Sequence, residues 1–533
     1  MTMVADRPSP QDFSVLCQRK WQGRISLSSD ADVCHISCAA GDLVEVCEWL
    51  WRELGFAFAT LIVEERNDSQ SLRYVFYKNA EMPWVHVELD PIAGAMTVSS
   101  LSTLPHGPSI DWHEREAEDL FGLTFEGHPR LGEFVLHEDW PEGVNPMRHT
   151  FDARQPAVHR ERDPQWDPRT IVTAPGAFAM PIGPVFSDFA ESAHFLLETV
   201  GEDVIRTIPR FFYKYRGVEK IAEGQTVDGV LLLAERFSGT SAFAHGLAFC
   251  HAIEAICGVA VPPRAVVLRT VFAELERLRH HAAAITGICN STALVVAANQ
   301  AALIEEGLLR LSGEACHHRY LFGLLKPGGL AFDLSGEAGA RLAEGAAQAA
   351  MRLRSLHQML RYSSSFLDRL EEVGIVAHDS ALAYGLVGPV ARAAGVSSDI
   401  RKLRPYAAYE AARFVVPVEE EGDGYARLRV LFHEAEQSAA LIRHFLAELP
   451  AGPVTASMPR WRAGAELSAV EAPQGAAFHW VRLNEDGTIV RYRVTPPSFA
   501  NWHGFHLAAE NFAFQDFPII LASFGLSNAE CDR

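Results

Sequence analysis

The chain has 533 residues, 48% hydrophobic and 21% charged, which is ample for more than one buried core. Lys plus Arg number 47 against 67 Asp plus Glu, and the net charge of −20 excludes a nucleic-acid surface, because neutralising phosphates needs clustered cations. Nine scattered cysteines without a single C-x-x-C give no zinc or iron–sulfur framework on this chain and read as reduced, buried thiols. The start, MTMVADRPSPQDFSVL, has no charged region followed by an apolar one, so no secretory leader is expected. RISLS then reads as a strand and GDLVEVCEWLWREL as a helix with apolar residues at helical spacing. FAFATLIVEE, LRYVFYKN, WVHVELD and AMTVSSL read as a run of strands, the first two joined across NDSQ. SIDWHEREAEDLFGL closes this segment as an amphipathic helix. The expectation for residues 1–137 is a small α+β domain.

Residues 138–177 are polar and proline-rich and read as an extended linker. From about 190 to 450 the pattern is helical, with long amphipathic stretches such as RAVVLRTVFAELERLRHHAAA and YARLRVLFHEAEQSAALIRHFLAEL. The uncharged stretch 282–304 is long enough to span a membrane. Asn290, Ser291, Thr292, Asn299 and Gln300 interrupt it, so it reads as two buried helix segments with a turn at Asn290–Thr292. AFHWVRLNEDGTIVRYRV reads as two strands around an Asp-Gly turn. Residues 178–533 are thus expected to form a mostly helical domain with a minor β portion, giving an α+β chain overall.

Two separated stretches carry a resemblance. From Asp111 to Arg148 the chain reads DWHEREAEDLFGLTFEGHPRLGEFVLHEDWPEGVNPMR. It resembles the signature of the C-type, thirty-kilodalton-class peripheral subunit of respiratory complex I, with Glu114, Glu118, Asp119, Phe121, Gly122, Gly127, His128 and Pro129 in the family pattern. From about residue 178 onward, YRGVEKIAEG, ERFSGTSAFAH, PPRAVVLRTVFAELERLRHH, GLVGPVARAAG, DIRKLRPY, EAPQG and the final Asp532–Arg533 occur in family order. They resemble the D-type, quinone-site subunit of complex I and the large subunit of energy-converting membrane-bound [NiFe] hydrogenases of the formate-hydrogenlyase or hydrogenase-4 type. In the formate-hydrogenlyase type the two subunits are fused, as here. The ending at Asp532–Arg533 is that of complex I subunits, so no extension cut after nickel insertion is expected.

The resemblance implies a peripheral-arm core subunit on the cytoplasmic side of the inner membrane. Its cavity would face a [4Fe-4S] cluster held by a small partner subunit, with antiporter-like membrane subunits behind. Electrons would pass to a quinone or another acceptor, coupled to ion translocation; a non-catalytic scaffold or assembly subunit is the alternative. No G-x-G-x-x-G fingerprint is present, so any NADH chemistry would lie elsewhere in the complex. The hydrogenase branch binds nickel and iron through four thiolates, and here the matching positions are Ser238, Ser241, Ser527 and Glu530. Hydroxyls are poor soft-metal ligands, so no metal is expected on this chain and an active [NiFe] hydrogenase is disfavoured. The complex I branch holds a quinone headgroup with a histidine and a tyrosine, and Phe186 and Gly239 stand at those positions.

His245 is the candidate catalytic residue, since an imidazole suits proton-coupled work, or else a hydrogen-bonded core histidine. The candidate cavity set is Phe186, Ser238, Gly239, Ser241, His245, Ser527 and Glu530. Arg264, Glu274, Glu276 and Arg277 either steer protons or form an ion-pair face between helices. Asp399, Arg401 and Lys402 read as a loop beside the cavity or at the surface. Glu191 and His194 resemble a family turn whose Pro-Gly is replaced by Ser192 and Ala193. Cys316, His317 and His318 look metal-like, but adjacent residues on a helix point apart.

Overall fold

The structure is a computed structural model, and it describes residues 10–30, 32–66, 69–89, 92–93, 97–155, 161, 165, 170–185 and 191–533. The chain divides into two compact units, Met1–Asp167 with Ala383–Gly385, and Pro168–Leu382 with Leu386–Arg533. Among the described residues no helix is long and apolar enough to cross a membrane.

The first unit is built on five long strands: β1 (Ile25–Asp30), β2 (Val33–Cys38), β3 (Ala57–Arg66), β4 (Ser69–Tyr77) and β5 (Trp84–Leu89), in the order β1-β2-β5-β4-β3. The pair β2/β5 is parallel; the others are antiparallel. Strand β2 is an addition to the expected strands. Its signal is the alternation in VCHISC, which buries Cys34, Ile36 and Cys38 on one face. Helices α1 (Pro10–Trp21), α2 (Leu43–Arg52) and α3 (Pro108–Phe121) complete the unit. The stretch expected to continue the run of strands instead pairs Thr97–Ser99 in parallel with Thr124–Glu126, apart from the main sheet.

The α3 signature residues serve structure. Asp119 Oδ2 accepts the backbone N–H groups of Phe134, Val135 and Leu136 at 2.9, 2.7 and 3.0 Å. Buried Glu114 accepts from Tyr74 OH at 3.1 Å, Ser100 Oγ at 2.5 Å and Leu101 N at 2.9 Å. Burial pushes its carboxyl up to about 7 despite these donors. Residues 138–155 of the expected linker carry neither helix nor strand; residues 156–160, 162–164 and 166–169 lie outside the described residues.

The second unit opens with strands, two of them where helix is expected. β6 (Ala177–Ile182), β7 (His194–Val200) and β8 (Asp203–Arg210) form an antiparallel sheet with Phe512–Ala513 at its edge. HFLLETV and DVIRTIPR, joined across Gly201–Glu202, make a hairpin, and the β-branched residues with the glycine turn override the helical pattern. Helices follow: α4 (Val227–Arg236), α5 (Ala242–Cys257), α6 (Pro263–Ser291), α7 (Val295–Cys316), α8 (Gly336–Arg361), α9 (Gly388–Ala393) and α10 (Gly424–Ala447). The uncharged stretch is two helices as expected. The hydroxyls of Ser291 and Thr292 donate back to Ile288 O, and Ala293 adopts a left-handed φ of 61°, which ends α6. Helices α6, α7, α8 and α10 pack as a bundle, and α5 lies against the meander β9 (Gly464–Ala472), β10 (Gly475–Leu483), β11 (Ile489–Thr495). α11 (Pro497–Ala508) leads to the C-terminal segment.

Where α9 meets the turn between β9 and β10, the backbones nearly touch. Gly388 has φ +67°, and a Cβ there would stand 2.0 Å from Gln474 O. This brings Arg392 into a fully buried ion network. Arg392 pairs with Glu434 at 2.7 Å, Glu471 at 2.8 Å and Asp399 at 3.6 Å. Arg401 pairs with Asp399 at 2.6 Å and Glu274 at 2.9 Å. Arg277 donates to Glu471 O at 2.6 Å, and His281 meets Glu434 at 2.8 Å. Each charge would be prohibitive alone and is held by at least one opposite charge. Arg392→Met should therefore cost roughly 3–5 kcal/mol, read as a fall in the urea midpoint, because it strands Glu434 and Glu471. Arg354→Met, which breaks a pair with Glu436 at the surface, should leave the midpoint unchanged.

Candidate functional site

The segment Phe237–Ser241 links α4 to α5 and turns sharply, so that Ser238 and Ser241 face inward. The last helical turn, Asn528–Cys531, brings Glu530 to the same point from the far end of the chain. Arg216 fixes that end by donating to the carbonyls of Asp532, Ala529 and Phe237. The Glu530 carboxylate is fully buried. Its Oε1 accepts the hydroxyls of Ser241 and, at 3.2 Å, Ser238, and lies 3.4 Å from His245 Nε2. Its Oε2 accepts Ser498 N–H at 3.2 Å.

Ser241 stands at the N-cap of α5, yet its hydroxyl is committed to Glu530 and caps nothing. Glu276, from α6, takes over that role and accepts the N–H groups of Phe243 and Ala244 at 2.7 and 2.9 Å. Burial pushes the Glu276 carboxyl up to about 7. Arg279 donates to Thr240 O at 2.6 Å and Gln474 to Thr240 Oγ1 at 3.0 Å, which holds the loop.

A second layer lies beyond the expected set. His245 Nδ1 lies 2.9 Å from His479 Nε2, and His479 Nδ1 lies 2.7 Å from Tyr492 OH. All three side chains are fully buried. The hairpin carrying His479 and Tyr492 is legible in the sequence, and period-two alternation with the β10/β11 register puts both on one face. Nothing in the sequence says that this face meets α5. Burial drives the His479 imidazole well below its ordinary value, helped by the neighbouring His245 and Arg533 charges. Burial raises the Glu530 carboxyl, but the bonds from His245, Ser241 and Ser498 outweigh it and leave a net depression.

Of the expected cavity set, Ser238, Ser241, His245 and Glu530 come together. Ser527 joins only indirectly: its hydroxyl donates to Glu191 at 3.1 Å, and its N–H goes to Ser498 Oγ. Gly239 is exposed, and a Cβ there would meet nothing within 4 Å. Phe186 lies outside the described residues. Glu274, Arg277, Asp399 and Arg401 belong to the ion network, so the latter two are not at the surface. Arg264 instead binds Asp333, Pro450 O and Leu334 O, and Lys402 lies over the Phe414 ring. His194 sits on β7 opposite Arg210. Cys316, His317 and His318 diverge at the end of α7, where His318 Nδ1 accepts from Tyr320 N.

Two hydroxyls and a carboxylate already hydrogen-bonded to one another do not fit a nickel–iron centre, which needs thiolate donors. The arrangement is a continuous set of hydrogen-bonding hydroxyls, imidazoles and one carboxylate.

Residues 36–157 match the family described as the respiratory-chain NADH dehydrogenase 30 Kd subunit, and residues 291–464 and 455–533 match the 49 Kd subunit family. The chain belongs to the complex I family as a fusion of these two subunit types. It is 27% identical to formate hydrogenlyase subunit 5 of Escherichia coli (strain K12), over 97% of this chain and 91% of that one. It is 29% identical to the C/D subunit of NADH-quinone oxidoreductase from Acinetobacter baumannii (strain AYE), over 80% of this chain and 79% of the relative. The Bdellovibrio bacteriovorus C/D subunit is 27% identical over 81% of this chain and 83% of its own length. Within this fused architecture, the position between α4 and α5 is occupied by the Ser238–Glu530 cluster.

Acid lability follows from the two shifted groups. The His479 value lies below 6.5 in the folded chain, so its contribution is complete above pH 6.5 and is lost as pH falls. The Glu530 value lies below 4.5, so its contribution is lost only at pH below 4.5. In thermal melts across pH, His479→Phe should flatten the decline below 6.5, and Glu530→Gln the decline below 4.5. Slopes identical to the parent chain would contradict the assignment.

Proposed function

We propose that this chain is the catalytic-core subunit of a complex I-like or hydrogenase-related membrane oxidoreductase, in which Glu530, His245, His479 and Tyr492 handle the proton that accompanies electron transfer. The observation that carries this reading is the unbroken line of hydrogen bonds from Glu530 to Tyr492. With Glu530 ionised, the bonds align in one direction. Tyr492 O–H donates to His479 Nδ1, His479 Nε2–H to His245 Nδ1, and His245 Nε2–H to Glu530. A full shift along the line would leave Tyr492 as a buried phenolate, which burial strongly disfavours, so Tyr492 and His479 act by holding His245 in the tautomer whose Nε2–H faces Glu530.

The acceptor would approach at Gly239, where the loop is exposed and without a side chain. A quinone, if it is the acceptor, would take up electrons there and require protons. Ser238 lies beside that opening and is hydrogen-bonded to Glu530, so it stands between acceptor and relay. Electrons would come from a [4Fe-4S] cluster on a small partner subunit, and antiporter-like subunits would couple the reaction to ion movement. The names of the C/D relatives and of the formate hydrogenlyase relative support this setting. The chain would sit peripherally on the cytoplasmic face of the membrane.

His479→Phe is the informative variant, since His479 does not touch Glu530 directly. In the intact complex its acceptor-reduction turnover should fall on the order of a hundredfold, and its solvent isotope effect should rise. Unchanged turnover in an assembled complex would leave the scaffold reading standing. A tagged chain recovered from native membranes should carry an iron–sulfur protein with it and no stoichiometric nickel. Recovery of the chain without such a companion would contradict the core-subunit reading.

A further inference from the structure

In the first unit, three potential metal ligands meet on one face of the sheet. His35 on β2 and His86 on β5 are direct partners in the parallel pair, and Glu88 follows two residues after His86. Period-two alternation points all three side chains the same way. His35 Nδ1 lies 2.9 Å from Glu88 Oε1, and the two imidazole rings are 5.1 Å apart, nearly perpendicular. One ligand atom from each residue lies within 4.8 Å of the others.

A structural ion pair accounts for His35 and Glu88 but leaves His86 unexplained. That imidazole is only 4% exposed, and neither ring nitrogen has a hydrogen-bond partner among the described residues. Burying an imidazole with both nitrogens empty gains nothing unless something occupies a lone pair. Burial holds the ring neutral, which is the ligating form. Arg73 Nε donates to Glu88 Oε1 at 2.6 Å and orients the carboxylate, as outer partners commonly do for ligating carboxylates. The side chains of His35 and Glu88 are 30% and 29% exposed, so an ion has a way in.

We propose that His35, His86 and Glu88 form a binding site for a borderline divalent transition-metal ion, zinc being the expected occupant. Two imidazole nitrogens and one carboxylate oxygen are the donor set such ions take, and they exclude calcium and magnesium, which want oxygen only. Donors around a tetrahedral zinc stand about 3.3 Å apart, so modest side-chain rotation closes the site, and water fills the fourth position. The site is independent of the Ser238–Glu530 cluster. No spacing along the chain signals it, because its ligands lie on two strands far apart in sequence.

The test is titration of the full-length chain, stripped with chelator, with Co2+ followed by its d–d absorption and with Zn2+ followed by thermal shift. The parent chain should show a saturable tetrahedral cobalt band, displaced by Zn2+, and a rise in melting temperature. His86→Leu should fold as stably without metal as the parent, since it removes two unpartnered nitrogens, and should lose both signals. His35→Ala, at a partly exposed position, is the second variant and should weaken Zn2+ binding by at least about tenfold. No cobalt band in the parent, or a band that persists in both variants, overturns the site.

Discussion

Everything at the α4–α5 junction depends on keeping one carboxylate ionised in the buried interior. Glu530 is sealed in the interior, and the basic side chain that meets it is the His245 imidazole rather than a guanidinium. Its charge is stabilised by hydrogen bonds from Ser241, Ser238, His245 and Ser498. Each donor is anchored in turn. Ser241 is free to donate because Glu276 has assumed the helix cap. Ser498 sits at the start of α11 and also receives Ser527 N–H. His245 is steadied by His479, and Arg216 grips the carbonyls on either side of Glu530. Removing any one anchor leaves a buried acceptor short of a donor, which costs about 1–3 kcal/mol.

The second unit therefore contains two kinds of buried polarity with different consequences. The network around Arg392 and Arg401 uses opposite full charges in contact. Burial and the Glu434, Glu471 and Asp399 charges act on Arg392 in opposite senses, and the charges win, so its proton is fixed. Such a network ties α6, α9, α10 and β9 together. The Glu530–Tyr492 line has a phenol and imidazoles as its links, neutral groups whose donor and acceptor roles follow the tautomer. The same helix, α6, serves both: Glu274 and Arg277 face the network, while Glu276 faces the α5 N-terminus.

Much of this is legible in the residues. The resemblance puts Ser238, Ser241, His245 and Glu530 at one site, and they do meet. The long helices, the turn at Asn290–Thr292 and the Asp-Gly hairpin follow from periodicity and turn chemistry, which are local. The strands at 194–210 are hidden when a helical pattern is extended across a segment whose β-branched residues and Gly201 turn say otherwise. His479 and Tyr492 are invisible for another reason. Their role depends on which helix covers the meander, and that pairing joins residues more than two hundred positions apart. His35 stands 53 residues before Glu88 and meets it only through the pairing of β2 with β5, which is likewise not a local signal.

Hydroxyls rather than thiolates at this site have one more consequence, for survival in air. A metal-bound or low-pKa thiolate is open to oxidation and alkylation, whereas a serine hydroxyl has no comparable ladder of oxidised states. The cysteine nearest this site, Cys531, is buried, and burial raises its thiol well above the ordinary value, so it offers little nucleophile. The other eight cysteines are buried as well. At the α4–α5 junction the chain presents hydroxyl oxygen, already in its lowest oxidation state.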